Sequence, residues 1–174
     1  MADVQTDSLY ERDIQEWTLD QVRALRVLRD AAAGQGDVTA ALHGLDWDNL
    51  IEELEGLAGR DRRELLSRVL TIIEHLLKLQ FSPVPEPRVG WRETIGRSRT
   101  EISLLLRQSP SLRREMAVFL TSDFPLKTAR QVSRALTDRD EITASVIPHL
   151  TGTTYTESEI LEDWWPDQQE ETSK

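Results

Sequence analysis

Glu52 and Glu55 stand three residues apart in the string LDWDNLIEELEGL, and His75 follows in HLLKLQ. On a helix Glu52 and Glu55 share one face, while Glu53 points elsewhere. Two carboxylates with an imidazole one helix away are the raw material of a divalent-metal site, or of the acid–base pair of a hydrolase-like enzyme. The spacing argues against that chemistry. A carboxylate-bridged metal site built on helices uses Glu-x-x-His, whereas Glu74 and His75 are adjacent. The competing account is electrostatic. Acidic residues in the first turns of a helix favour its dipole, and they reach toward Arg60, Arg63 or the arginines that follow Trp91. Glu52, Glu55, Arg60, His75 and Arg99 then make up a structural polar network. His75, beside Ile72, Leu76 and Leu79, reads as a partly buried, hydrogen-bonded core residue. The network is the favoured reading, and a Glu52/Glu55/His75 metal or catalytic cluster is the alternative.

Other catalytic patterns are missing. Ser67 and Ser98 have no strand–turn–helix elbow, and the chain contains neither GxxxxGK[ST] nor GxGxxG. No catalytic residue and no cofactor is therefore assigned. Arg92, Arg97, Arg99, Arg107, Arg113 and Arg114 make the best case for an anionic partner. Nucleic-acid binding, however, asks for a dense basic stripe in a net-basic module, and this chain has a pI near 4.8. Nucleic acid becomes a third, disfavoured reading, behind ion pairing within or between subunits. Of the five tryptophans, Trp17, Trp47 and Trp91 fall at helix boundaries, where an indole buries its rings and keeps its N–H wet. Trp164 and Trp165 are adjacent and point about 100° apart on a helix. One of them is expected to dock the carboxyl-terminal segment, leaving the other as an anchor for a protein partner.

The elements that must position these groups are helical. Tyr10, Ile14 and Trp17 recur at helical spacing after Ser8, and a second helix is expected from Thr18, whose capping box would use Gln21. Leu19, Val22, Leu25 and Leu28 would form its buried stripe. Gly34 and Gly36 would end it, with a short helical turn near Asp37–Leu42. Asp46 is a fitting N-cap for the central segment, with Leu45 and Leu50 as its hydrophobic staple. Apolar positions then hold the 3.6-residue period from Trp47 to Leu77. Gly56 and Gly59 mark either a bend between two helices or a close helix crossing. Pro83, Pro85 and Pro87 end the run. Trp91, Ile95, Ser98, Ile102 and Leu105 alternate four and three, a seam for a neighbouring helix. Ser109 is expected to cap the next helix with Pro110 in its first position, and Pro125 to open another through Leu136. Residues 137–155 read as mixed, with no room for a long helix past Pro148 and Gly152. Thr156 and Glu159 form a capping box before a short helix ending at Trp164–Pro166. The fold class is all-α: one domain over residues 1–166, a bundle of about six to eight helices around a long central helix or bent pair. Residues 167–174 read as a disordered acidic tail.

Composition limits the setting. The net charge is −10, but it is segregated: residues 1–59 carry −9, residues 60–114 carry +6 and residues 115–174 carry −7. Either the acidic ends fold over the basic middle, or a basic face stays open for an anionic partner. Cysteine is absent, which excludes disulfides, thiolate metal sites and a cysteine nucleophile. MADVQTDSLYERD opens acidic and lacks an apolar core segment, so no signal peptide is read. No stretch approaches the ~18 apolar residues of a membrane span. A cytoplasmic protein is expected.

Several strings occur in a distinctive order: LYERDIQEW at Leu9–Trp17, LDWDNLIEELEGL at Leu45–Leu57 and HLLKLQ at His75–Gln80, then WRETI at Trp91, SPSL at Ser109–Leu112 and ILEDWWP at Ile160–Pro166. In this order they resemble the bacterial family known as domain of unknown function 29. The resemblance covers nearly the whole chain. It departs at the insert AAAGQGDVTAALHG and matches loosely over 137–155. It implies a helical architecture and supplies no catalytic residues. Together with the charge segregation and the tryptophans, the reading is a non-enzymatic interaction, accessory or regulatory module. Its partner is another protein or a second copy, with a dimer favoured.

Overall fold

The computed structural model describes residues 8–32 and 47–166, and all regular structure among them is helical. The described residues hold eight helices: α1 (Leu9–Arg12), α2 (Ile14–Ala32), α3 (Trp47–Phe81), α4 (Arg88–Gln108), α5 (Leu112–Leu120), α6 (Phe124–Thr137), α7 (Ile147–Gly152) and α8 (Glu157–Leu161). The all-α class and the long central helix are as the periodicity implies. The expected features around Gly34, Asp37–Leu42 and Asp46, and the tail 167–174, lie outside the described residues.

The axis of the molecule is α3, 35 residues in one piece and therefore about 50 Å long. The two glycines neither bend it into a pair nor mark a crossing. Space around Gly56 is open, and a Cβ at Gly59 would meet only the guanidinium of Arg63 from the same helix. Each glycine costs roughly 1 kcal/mol of helix propensity, a penalty small beside the burial of the turns that follow. From Leu65 onward α3 is apolar on most of its circumference: Leu65, Val69, Ile72, Leu76 and Leu77 have no exposed surface. This half forms the centre of a cluster to which α4–α8 contribute Ile95, Ile102, Leu112, Met116, Leu136, Leu150 and Ile160.

After the proline turn, α4 runs back antiparallel along α3, a direction fixed by the pair Arg68–Glu101 (2.9 Å). Its seam is the expected one, with Ile95, Ser98 and Ile102 buried and Trp91 and Leu105 partly buried. Because Arg68 meets Glu101, α4 runs out at Gln108 near the level of Asp61. The amino-terminal half of α3 is thus left with α2 as its main companion.

Two helix starts differ from expectation, and one residue explains both. The first break falls at Asp13, not Thr18. Ser8 and Glu11 close a capping box on α1, and the Asp13 carboxylate accepts from Glu16 N–H (2.9 Å) to start α2. Thr18 is then inside the helix, its hydroxyl donating to the Ile14 carbonyl (2.7 Å). The other Asp13 oxygen reaches a distant element and accepts from the Ser111 N–H (2.6 Å), while the Ser111 hydroxyl donates to Oδ1 (3.0 Å). The helix after QSPSL consequently begins at Leu112, and Ser109 is buried without capping it. A long-range carboxylate has taken the role assigned to a local serine. The later elements follow their signals: Pro125 sits in the first turn of α6, Pro148 in the first turn of the short α7, and Thr156/Glu159 form the capping box of α8. α8 ends at Leu161, so Trp164 and Trp165 lie beyond it.

Candidate functional site

The residues singled out in the sequence are not gathered in one place. Glu52 is exposed; Glu55 pairs across to Arg26 of α2; Arg60 is exposed on the same helix. His75 lies twenty residues beyond Glu55 on the unbroken α3, about 30 Å away. Its Nδ1 donates to the Thr71 carbonyl (2.8 Å), so the imidazole is tied to its own helix. Glu52, Glu55, Arg60, His75 and Arg99 therefore do not form one network. The helix continues unbroken through Gly56 and Gly59 and holds the two ends of the expected network apart. Among the described residues no three His, Asp or Glu side chains converge as a metal site requires.

Arg99 does different work. Its side chain is only 10 % exposed. Nε donates to the Ile160 carbonyl (2.9 Å), and Nη2 to the carbonyls of Glu159 (2.9 Å) and Trp164 (2.8 Å). The guanidinium thereby satisfies carbonyls that the end of α8 leaves unpaired. Burial lowers its pKa from the ordinary arginine value, and Asp163 opposes that shift. Trp165 covers the same group, with the guanidiniums of both Arg92 and Arg99 4.8 Å from its ring, and its Nε1 donates to Asp163 (2.7 Å). Trp164 meets the edge of Tyr155 (5.9 Å between centroids). Both indoles are half-buried against the core of their own chain. Sequence spacing had no means of showing this clasp, because its acceptors are backbone carbonyls. Nearby, burial also raises the Tyr155 hydroxyl well above the usual tyrosine range, and that hydroxyl donates to Gln80 Oε1 (2.9 Å).

The open surface is elsewhere. α2 lies antiparallel to the first half of α3: Arg26 meets Glu55, and Arg29 meets Asp48 (3.1 Å). These ion pairs line one side of the two-helix arm. The opposite side carries more apolar side chains. Near the base of the arm it holds a groove of about 360 Å³, where Tyr10, Ile14, Trp17, Leu54 and Leu57 are joined by Gln15, Thr18, Arg60 and Asp61, with Tyr10 and Trp17 edge to face at 5.0 Å. Toward the tip it carries Leu28 and Leu50. Leu28 (44 %), Leu50 (41 %), Leu57 (47 %) and Tyr10 (55 %) are all exposed. Of the stripe expected to be buried on α2 only Val22 is; Leu25 is partly covered, and Leu19 and Leu28 are exposed. Two further concavities lie on the body. One, of about 750 Å³, mixes Arg99, Arg107 and Arg113 with Glu157 and Glu162. The other, about 440 Å³, lies beside Val118, Phe119 and Phe124.

This sequence of helices is matched from residue 9 to residue 165 by a single family profile, described as Domain of unknown function DUF29. The chain belongs to the DUF29 family. The matched span runs from the first residue of α1 to the second tryptophan of the clasp, so in this DUF29 chain the arm and the clasp both lie within it. No curated protein and no solved structure gives a significant match.

Proposed function

We propose that this chain is a non-enzymatic protein-interaction module, acting in the cytoplasm, and that it works by burying the apolar side of the α2–α3 arm against another polypeptide. The module proposed is one helical domain over residues 1–166. One observation carries the reading: Tyr10 of α1, Leu28 of α2, and Leu50 and Leu57 of α3 are exposed on one side of the arm, while the ion pairs Arg26–Glu55 and Arg29–Asp48 lie on the other. Isolated exposed leucines are ordinary, but a contiguous apolar strip rimmed by charge marks a docking surface. Trp164 and Trp165, the anchors expected from the sequence, are engaged by Arg92, Arg99 and Tyr155. The proposal therefore moves the partner-binding surface from the carboxyl-terminal tryptophans to the arm.

The test is affinity capture from lysate with tagged wild-type chain and with Leu57→Glu, read by mass spectrometry. Loss of a stoichiometric partner at unchanged helical circular dichroism is the expected result. A partner retained equally by the variant, but lost on Trp165→Ala, overturns the assignment to the arm.

A further inference from the structure

Each helix of the arm carries two apolar stripes, not one. Taking 100° per residue, α2 meets α3 through Ile14, Thr18, Val22, Leu25 and Arg29. A second stripe, Trp17, Gln21, Ala24, Leu28 and Ala31, lies about 80° to one side, at alternating spacings of four and three. On α3 the contact stripe contains Ile51 and Ala58, and a second stripe of Leu50, Leu54 and Leu57 repeats the same spacing. In an antiparallel pair, stripes displaced in the same rotational sense come to the same side. The groove that joins Trp17 to Leu54 and Leu57 shows that they do. Helices with one seam for a hairpin partner and a second beside it are the components of a four-helix bundle. This chain contributes two of the four.

We infer that the missing pair is the arm of a second copy of this chain, laid antiparallel so that α3 packs on α3 of the copy about a two-fold axis near residue 56. The inference rests on the reading of the arm as a docking surface and names its occupant. Two features select a second copy in this orientation. First, the antiparallel arrangement places the tip leucines of each arm, Leu28 and Leu50, at the basal groove of the other, where Tyr10, Trp17, Leu54 and Leu57 offer apolar contact beside Arg60 and Asp61. Second, the charges bordering the α3 stripe are complementary only end to end. Glu53 and Arg60 lie seven residues apart on its outer edge, are exposed, and form no ion pair among the described residues. Antiparallel packing about residue 56 sets Glu53 of each copy opposite Arg60 of the other; packing in the parallel sense sets like on like. At the middle of the α2 stripe stands Ala24, small enough to let the partner helix approach.

The experiment is sedimentation equilibrium on the purified full chain, with three variants. Wild type is expected to sediment at twice the 19.9 kDa chain mass. Leu57→Glu is expected to sediment as a monomer, since it sets two carboxylates into the buried seam. Glu53→Arg faces arginine with arginine at both ends of the interface and is expected to weaken association about tenfold; combining it with Arg60→Glu restores wild-type association. Glu53 and Arg60 are exposed, so these variants leave folding intact even if Leu57→Glu does not. A dimer indifferent to all three changes uses another face, and the inference falls. A dimer sensitive to Leu57→Glu but not rescued by the charge exchange overturns the α3-on-α3 geometry. Monomeric wild type also overturns it: if capture from lysate is then still lost on Leu57→Glu, only the second copy is wrong. If capture is unaffected, the interaction reading fails with it.

Discussion

Val69 and Leu57 belong to the same helix, twelve residues apart, and meet opposite surroundings. Val69 has no exposed surface, whereas Leu57 keeps 47 % of its own. The difference is one of company. Val69 lies in the buried cluster to which α4–α8 contribute; around Leu57 there is α2, and α4 has already ended. One sequence period thus produces a core in one half and an exposed seam in the other. Apolar periodicity reports that a face will be covered; whether the cover comes from the same chain depends on how far the neighbouring helices reach.

The contrast can be broken or sharpened by substitution, taken from the largest expected effect to the smallest. Leu76→Ala, in the closed half, should lower stability by about 3–5 kcal/mol in urea titration. Leu57→Ala at concentrations too low for association should cost less than about 1 kcal/mol, and equal losses would erase the distinction. Arg99→Ala leaves three carbonyls without their donor and should cost about 2–3 kcal/mol. Arg99→Lys should recover only part of it, because an ammonium cannot span the three acceptors as the planar fork does. Tyr155 predicts a pH dependence. Its folded pKa is raised, so its contribution is intact below the unfolded value of about 10 and declines above it, as unfolded chains ionise while the folded chain stays protonated. The decline should reach about 1.4 kcal/mol per pH unit and stand alone in the difference between wild type and Tyr155→Phe, whose own stability lacks it. Asp13→Ala, which unfastens the arm from the start of α5, should cost about 1–2 kcal/mol and speed amide exchange in α2 while sparing α3 beyond Leu65. Smallest of all, Arg26→Ala on the exposed charged side of the arm should change stability by less than about 0.5 kcal/mol.

Much of the fold was legible because it is local. Leu65 through Leu77 kept an uninterrupted period, Trp91–Leu105 a clean seam, and Thr156 and Glu159 a capping box, and each became the element its spacing implies. The misread helix caps share a physical cause: a distant group replaced a local one. Thr18 and Ser109 looked like caps, but Asp13 serves the helices at both places, a contact 98 residues long in sequence. Gly56 and Gly59 looked like a joint because propensity was weighed without the burial that follows them. The proposed polar network fails on distance, since the continuous helix sets His75 twenty residues beyond Glu55. Arg99 stood in the right list for the wrong partners, because sequence shows which side chains carry charge and is silent on which backbone carbonyls a helix end leaves free. The α2 side of the arm was written as a buried stripe, since Leu19 and Leu28 are periodic whichever chain covers them.

The clasp has a consequence for the order in which the chain is made. Arg99 is synthesised about sixty residues before Ile160 and Trp164, whose carbonyls it needs. At ~5–20 residues per second of translation, roughly 3–12 s separate the cation from its acceptors. Until then α4 carries a guanidinium that has nowhere dry to rest, so it resists final closure onto α3. A nascent chain truncated before residue 159 keeps that defect permanently. A segment made some sixty residues later is the one that lets α4 settle.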